Sequence, residues 1–250
     1  MNLKTISIWT LLFAINILGI LPLYNYDYPA SDIGETLYHV RELEIGRIPY
    51  KDIFTHHFLG YAVLFYWIEK IIPLTPKVFW SLGLIFNFIN SVLIFLILKK
   101  IANKQTAYIG ALLAVTIGWF PGWNGWLFNV QTYFLPFFHL YLLLMIYSIE
   151  EESRDYFLLS LFVYSVLITF DQRLLVFTPL NLFPFFKFAS FRTIKSLTYS
   201  IISILLIPTL CLSYLSSYGA IHDFVFETFM FPLFIEIKEF VVTAYIMLFF

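Results

Sequence analysis

One stretch of this sequence holds the residue types that catalysis needs: Tyr28 to Tyr61, YPASDIGETLYHVRELEIGRIPYKDIFTHHFLGY. It carries Asp32, Glu35, Glu42, Glu44 and Asp52, the adjacent His56 and His57, and the cations Arg41, Arg47 and Lys51. A carboxylate can take the proton of an acceptor hydroxyl, and a nearby cation can stabilise a departing anion. Between apolar runs, so many ionisable groups have no packing role. A catalytic loop at a membrane surface would need them.

Asp32 and Glu35 have the spacing of a helix N-cap and its N3 partner. They read as a capping pair, or as a carboxylate held at a helix start where it can act as general base, and a cap can do both. Asp171-Gln172-Arg173 lies between two apolar runs, so Arg173 is at or near a membrane interface. It either pairs locally with Asp171 or binds an anionic headgroup, because a guanidinium fits phosphate oxygens two at a time. His56 and His57 are neighbours whose side chains diverge on a helix or a strand. They read as surface polar residues, as substrate contacts, or as partners of carboxylates around a divalent ion. Asn129 and Gln131 stand at the start of an apolar run and either cap it or line a cleft. His222, Asp223 and Glu227 form a weaker acidic group near the C-terminal end.

The elements that must position these residues are membrane helices. Only 12% of the 250 residues are charged and mean hydropathy is +0.83, whereas soluble domains carry about 25% charge. Apolar runs cover 6–24, 57–75, 78–98, 106–120, 127–148, 156–170, 174–191, 196–215 and 240–250. The expected fold is therefore all-α: a polytopic transmembrane bundle forming one domain over 1–250. The run at 6–24 is too long for a signal-peptide core and reads as an uncleaved span. The chain stops inside an apolar run, as the N-terminal part of a longer protein would.

The run 57–75 carries Glu69 and Lys70 and is bounded by Pro73 and Pro76. If it does not cross, Lys4, Lys99, Lys100, Lys104, Arg154, Lys187, Arg192 and Lys195 share one side. The positive-inside rule makes that side cytoplasmic. Residues 25–77 are then one large outer loop, with in-plane amphipathic helices. Ile33, Leu37, Val40 and Leu43 recur at helical spacing within it, and Gly46 and Pro49 end that helix. Trp119, Trp123 and Trp126 suit an interfacial belt.

A net charge of −1 gives no basis for nucleic-acid binding. The single cysteine, Cys211, excludes an intrachain disulfide and a thiolate metal cluster. The sequence contains no P-loop, GxGxxG, GxSxG or HExxH.

The outer-loop pattern resembles the polyprenyl-phosphate-sugar glycosyltransferases of the GT-C fold. It is nearest the bacterial branch related to protein O-mannosyltransferases and the lipid A aminoarabinose transferase. That branch reads D-x-G, then G-x-x-PY-x-D, then H-x-PG-x-Y. Matching residues here are Asp32, Gly34, Gly46, Pro49, Tyr50, Asp52, His57, Gly60 and Tyr61, with Leu59 where the family has proline. FDQRLLVFTPLNLF resembles a later "K-Q" segment, with Gln172-Arg173 shifted or substituted, and YGAIHDFVFETFMFP resembles a "G-A-x-x-D-F" segment.

The resemblance implies inverting transfer of a hexose or pentose from a polyprenyl phosphate to a lipid, glycan or protein hydroxyl. The site would be the extracytoplasmic face of the plasma (inner) membrane, in contact with membrane lipids. Asp32 would be the base and Glu35 its acidic partner. Arg173 would contact the phosphate, with Gln172, Asp52, His57 and Gln131 binding substrate. No cofactor is expected, a divalent ion being the open alternative. Two other readings are a transporter or lipid flippase, and an inactive truncated remnant.

Overall fold

The computed structural model describes residues 3–21, 31–55, 57, 58, 60–117 and 130–234, with backbone alone for 3–7, 20, 31–33, 130 and 131. His56, Asn129, the three belt tryptophans and the run at 240–250 lie outside the described residues. The fold is all-α. Ten α-helices are described: α1 Leu3–Ile20, α2 Ser31–Glu44, α3 Gly60–Glu69, α4 Pro76–Ile101 and α5 Lys104–Ile117, then α6 Val130–Glu150, α7 Arg154–Leu167, α8 Phe183–Lys187, α9 Ile194–Ser217 and α10 Ile221–Val225. Pro76–Ile101, Thr132–Glu150 and Ile194–Ser217 are long and apolar enough to cross a membrane. The chain is a multi-pass membrane protein.

Local chemistry sets the helix starts. Thr75 accepts the Val78 N–H at 3.3 Å, with Pro76 following at the first helical position. Asn103 accepts the Thr106 N–H at 2.9 Å, and Thr193 the Ser196 N–H at 3.1 Å. Each side-chain oxygen satisfies a helix N–H that has no partner one turn earlier.

Contacts place the helix ends in two groups. At the basic end, Lys100 pairs with Glu150 at 2.7 Å and Phe191 packs on Phe157. The turns carrying Lys99 to Lys104, Glu150 to Arg154, and Arg192 to Lys195 therefore lie together. At the opposite, loop end, Phe65 packs on Phe79 and Tyr133. The Gly60 N–H donates to the Thr169 carbonyl, and the Lys51 ammonium to the Tyr218 carbonyl. α1 runs antiparallel to α4, because Trp9 meets Phe95 whereas Asn16 meets Leu84 and Asn87. Its start is thus at the basic end.

α3 begins and ends at the loop end: Gly60 sits on Thr169, and Glu69 accepts from Arg41. Ten residues of helix rise about 15 Å, half of a roughly 30 Å hydrocarbon core. The segment 174–191 departs from the expected α-helix. Gln172–Leu182 is a 3₁₀ helix, followed by α8 and a 3₁₀ turn at Ala189–Phe191. It still descends along α7, pairing Tyr164 with Thr178 and then Phe157 with Phe185 and Phe191. Eleven 3₁₀ residues cover about 22 Å against about 16 Å in α form, so a short segment reaches the far end.

Candidate functional site

The loop end gathers the polar stretch. α2 closes at Gly46 (φ 83°), where the Arg47 N–H reaches the Glu42 carbonyl at 3.0 Å and the Gly46 N–H the Leu43 carbonyl at 3.1 Å. This is a Schellman closure, and it requires the left-handed residue that glycine supplies. A tight turn follows. Asp52 Oδ2 accepts the Ile48 N–H at 2.8 Å, and the Tyr50 N–H reaches the Ile53 carbonyl at 3.0 Å. Tyr50 is itself left-handed (φ 65°), at a cost of about 1–2 kcal/mol for a side chain with Cβ. Its hydroxyl donates to the His57 carbonyl at 3.1 Å, and its ring is buried against Phe224. The His57 N–H donates to Thr55 Oγ1 at 3.2 Å.

This loop is docked on the segment after α9. The Lys51 ammonium donates to the Tyr218 carbonyl at 3.0 Å, at the C-terminus of α9 where the helix dipole favours a cation. The Thr55 N–H donates to Glu227 Oε2 at 3.0 Å, and Glu227 is only 9% exposed. Phe54 meets Phe231, while Phe58 meets Phe224 and Phe229. Burial pushes the Glu227 carboxyl above its ordinary range; the Thr55 N–H pulls it back and the Asp223 charge adds to the rise. The two remote segments quoted for the resemblance, around Asp52–Tyr61 and around Gly219–Pro232, thus meet in space.

α2 packs on α3. Thr36, His39 and Val40 are buried, with Leu37 and Leu43 partly covered. The buried stripe therefore includes two polar residues that hydropathy alone assigns elsewhere. His39 Nδ1 lies 3.0 Å from the Tyr61 hydroxyl, and its Nε2 3.9 Å from Glu35 Oε1. At the other end of α2, the Arg41 guanidinium donates to Glu44 at 2.6 Å and to Glu69 at 3.1 Å. Arg41's hydrogen bond holds the Glu44 carboxyl below its usual range. Glu69 also accepts the Leu74 N–H, so it joins α3 to the approach of α4.

Asp171 and Arg173 pair locally. Arg173 Nε donates to both Asp171 oxygens at 3.0 Å, and Nη2 to Oδ2 at 2.5 Å. The carboxylate is buried, while the Arg173 side chain is 65% exposed and keeps Nη1 outside the pair. Asp171 Oδ1 also accepts the Arg173 N–H at 2.9 Å and so caps the 3₁₀ run.

α2 begins at Ser31, so Asp32 stands in its first turn, and the Asp32 side chain lies outside the described residues. Gln131 stands in the first turn of α6, again with its side chain outside them. Glu35, Asp52, His57, Gln172 and Arg173 are described and all belong to the loop end. Of these, Asp52 shapes its own turn and Arg173 is partly engaged by Asp171. Among the described residues no three His, Cys, Asp or Glu side chains gather closely enough to hold a metal ion.

No protein-family model, curated protein or solved structure matches this chain. Two residues central to the geometry carry little sequence signal. Glu227 is a lone carboxylate inside the aromatic run DFVFETFMF, and that setting is its only mark. His39 shares a helical face with Thr36, Val40 and Leu43, which is the one hint of its burial.

Proposed function

We propose that the chain is a membrane glycosyltransferase that moves a sugar from a polyprenyl-phosphate donor to an acceptor hydroxyl at the extracytoplasmic face of the plasma membrane. One observation carries the reading: α2, the 45–58 loop and Arg173 collect at one end of the bundle, and the lysine-rich turns collect at the other. Under the positive-inside rule the lysine end is cytoplasmic, and the acidic loop end faces out. A lipid-linked donor suits a chain without a nucleotide motif, since its isoprenoid rests in the bilayer and its headgroup at the interface.

In this mechanism Asp32 takes the acceptor's proton as the acceptor oxygen bonds to the sugar's C1. The bond from C1 to the phosphate oxygen breaks, the phosphate leaves with the electron pair, and the anomeric centre inverts. Arg173 meets the growing phosphate charge through Nη1, the nitrogen outside its pair with Asp171. The Asp171 charge tempers that role. His57, Gln131 and Gln172 offer hydrogen-bonding groups to the sugar, and Asp52 acts through the turn it closes.

The test is Asp32→Asn, assayed in sealed membranes with a polyprenyl-phosphate-linked sugar. Loss of a general base lowers turnover by roughly 10²–10⁴-fold. Wild-type turnover would end the proposal. A transporter or flippase draws on a different observation, the 2.6 Å contact of His139 with Asn90 between α4 and α6. Ionisable groups within spans mark transport paths, and His139→Leu would then abolish transport.

A further inference from the structure

At the basic end, the turn from α8 to α9 holds three cations that no acid neutralises. Lys187, Arg192 and Lys195 are exposed, and among the described residues none has a carboxylate within ion-pair distance. Lys187 lies over the rings of Phe183 and Phe188, 6.0 and 5.0 Å from their centroids, and Lys195 over Tyr199 at 5.8 Å. Arg192 donates through Nε and Nη2 to the Phe185 and Phe186 carbonyls at 2.8 and 2.6 Å, with Nη1 outside those bonds. Rings and carbonyls hold a cation in place and leave its net charge standing. The sequence has no Asp or Glu between Asp171 and Asp223. Glu152 and Asp155 line one hollow with Ser190 and Phe191, but Arg154 stands there with them. The α4–α5 corner differs, because Lys100 pairs with Glu150 at 2.7 Å, next to Glu151 and Glu152.

Uncovered apolar side chains flank the same cations. Phe186 is 74% exposed and Ile194 85%. Only 11% of the apolar window of α9 is buried inside the chain. In a chain that crosses a bilayer, such side chains sit among acyl chains, and neighbouring lysines and arginines reach out to the phosphate level. We propose that Lys187, Arg192 and Lys195 bind the phosphate headgroup of an anionic phospholipid in the leaflet at the basic end, with its acyl chains against Phe186 and Ile194. Charge complementarity selects this occupant: a zwitterionic lipid brings its own cation to the site. A soluble acidic partner would match the cations and leave the apolar side chains beside them unmatched. Arg192, fixed by two carbonyls, presents Nη1 as an oriented donor, while the two lysines act as point charges. The bound lipid would fasten α8 and the start of α9 to the bilayer where the 3₁₀ descent ends. No sugar donor takes part, so the site holds or fails apart from the transfer reading.

The test places the full chain in phosphatidylcholine nanodiscs, with a fluorophore on Ser190→Cys in a Cys211→Ala background. Brominated phosphatidylglycerol or brominated phosphatidylcholine is added at low mole fraction. The anionic lipid is expected to quench more strongly, and equal quenching by the two overturns the proposal without any variant of the site. In Lys187→Gln/Lys195→Gln the apparent affinity for phosphatidylglycerol is expected to fall about thirtyfold, since each cation beside anionic lipid contributes roughly fivefold. Lys187→Arg/Lys195→Arg keeps the charge and is expected to keep the affinity; loss there would count against a phosphate site. Lys99→Gln/Lys104→Gln removes the same charge at the α4–α5 corner and is expected to leave quenching unchanged. An equal fall in both glutamine pairs would mean attraction by net charge alone, and would overturn the site.

Discussion

Glu227 shows what one side chain does at the loop end. Its side chain is buried and its carboxylate accepts the Thr55 backbone N–H. Burial disfavours the charged form, so the docked state binds a proton more tightly than a solvated chain does. The sign follows from linkage. A group whose folded affinity is raised stabilises fully below the ordinary carboxylate range, and that contribution is lost as pH rises through the raised value. The thermal midpoint of the wild type, measured against Glu227→Gln in detergent from about pH 4 to about pH 8, is expected to fall with rising pH. A constant difference between the two proteins would contradict this. Arg173 teaches the converse lesson: a cation beside an apolar run pairs with an acid two residues back, and that acid takes its Nε and Nη2 donors and leaves Nη1 outside the pair.

Among the elements, α3 decides how the polar stretch is used. Its first residue, Gly60, donates its N–H to the Thr169 carbonyl, and a Cβ there would collide with the backbone and hydroxyl oxygens of Thr169. The glycine permits the close approach that fastens α3 to the end of α7. Gly60→Ala is expected to destabilise the chain by about 1–3 kcal/mol, the usual cost of overpacking, read as a lower thermal midpoint in detergent. An unchanged midpoint would mean that this contact bears little of the fold. The 3₁₀ run at Gln172–Leu182 is the other telling element. Tyr164 holds it through Thr178 and the Leu174 carbonyl, and Tyr141 through Asn181. Those tertiary hydrogen bonds stabilise a stretched geometry that an isolated apolar sequence would give up for an α-helix.

At the scale of the whole molecule, the two ends differ in charge, and the difference predicts sidedness. Single cysteines introduced at Lys104 and Arg192, in a Cys211→Ala background, are expected to resist a membrane-impermeant thiol reagent in sealed cells. Cysteines at Lys51 and Arg173 are expected to react. Reaction at Lys104 would invert the bundle and put the acids of α2 on the cytoplasmic side, where the proposed donor headgroup is not. Within the bundle, polar contacts tie α1 to α4 and α4 to α5: Asn16 donates to the Leu84 carbonyl, while Asn87 donates to Asn16 and to the Val115 carbonyl. Such bonds replace the hydrophobic drive that helices lack against lipid.

The sequence by itself determined the class of this protein. Its apolar runs and scarce charge demand membrane helices, because no other use of so much hydrocarbon surface is stable. The clustering of lysines at alternate turns determined that 57–75 stays at one end if the positive-inside rule holds. The expected helix stop at Gly46 follows from local backbone sterics, and the structure has it there. Tertiary structure alone decided which polar groups are engaged and with what. Lys51 and Tyr218, Thr55 and Glu227, and Gly60 and Thr169 are each more than a hundred residues apart. No local propensity encodes such pairs. They form because the folded bundle brings helix ends together, and buried donors and acceptors there must find one another once water is gone.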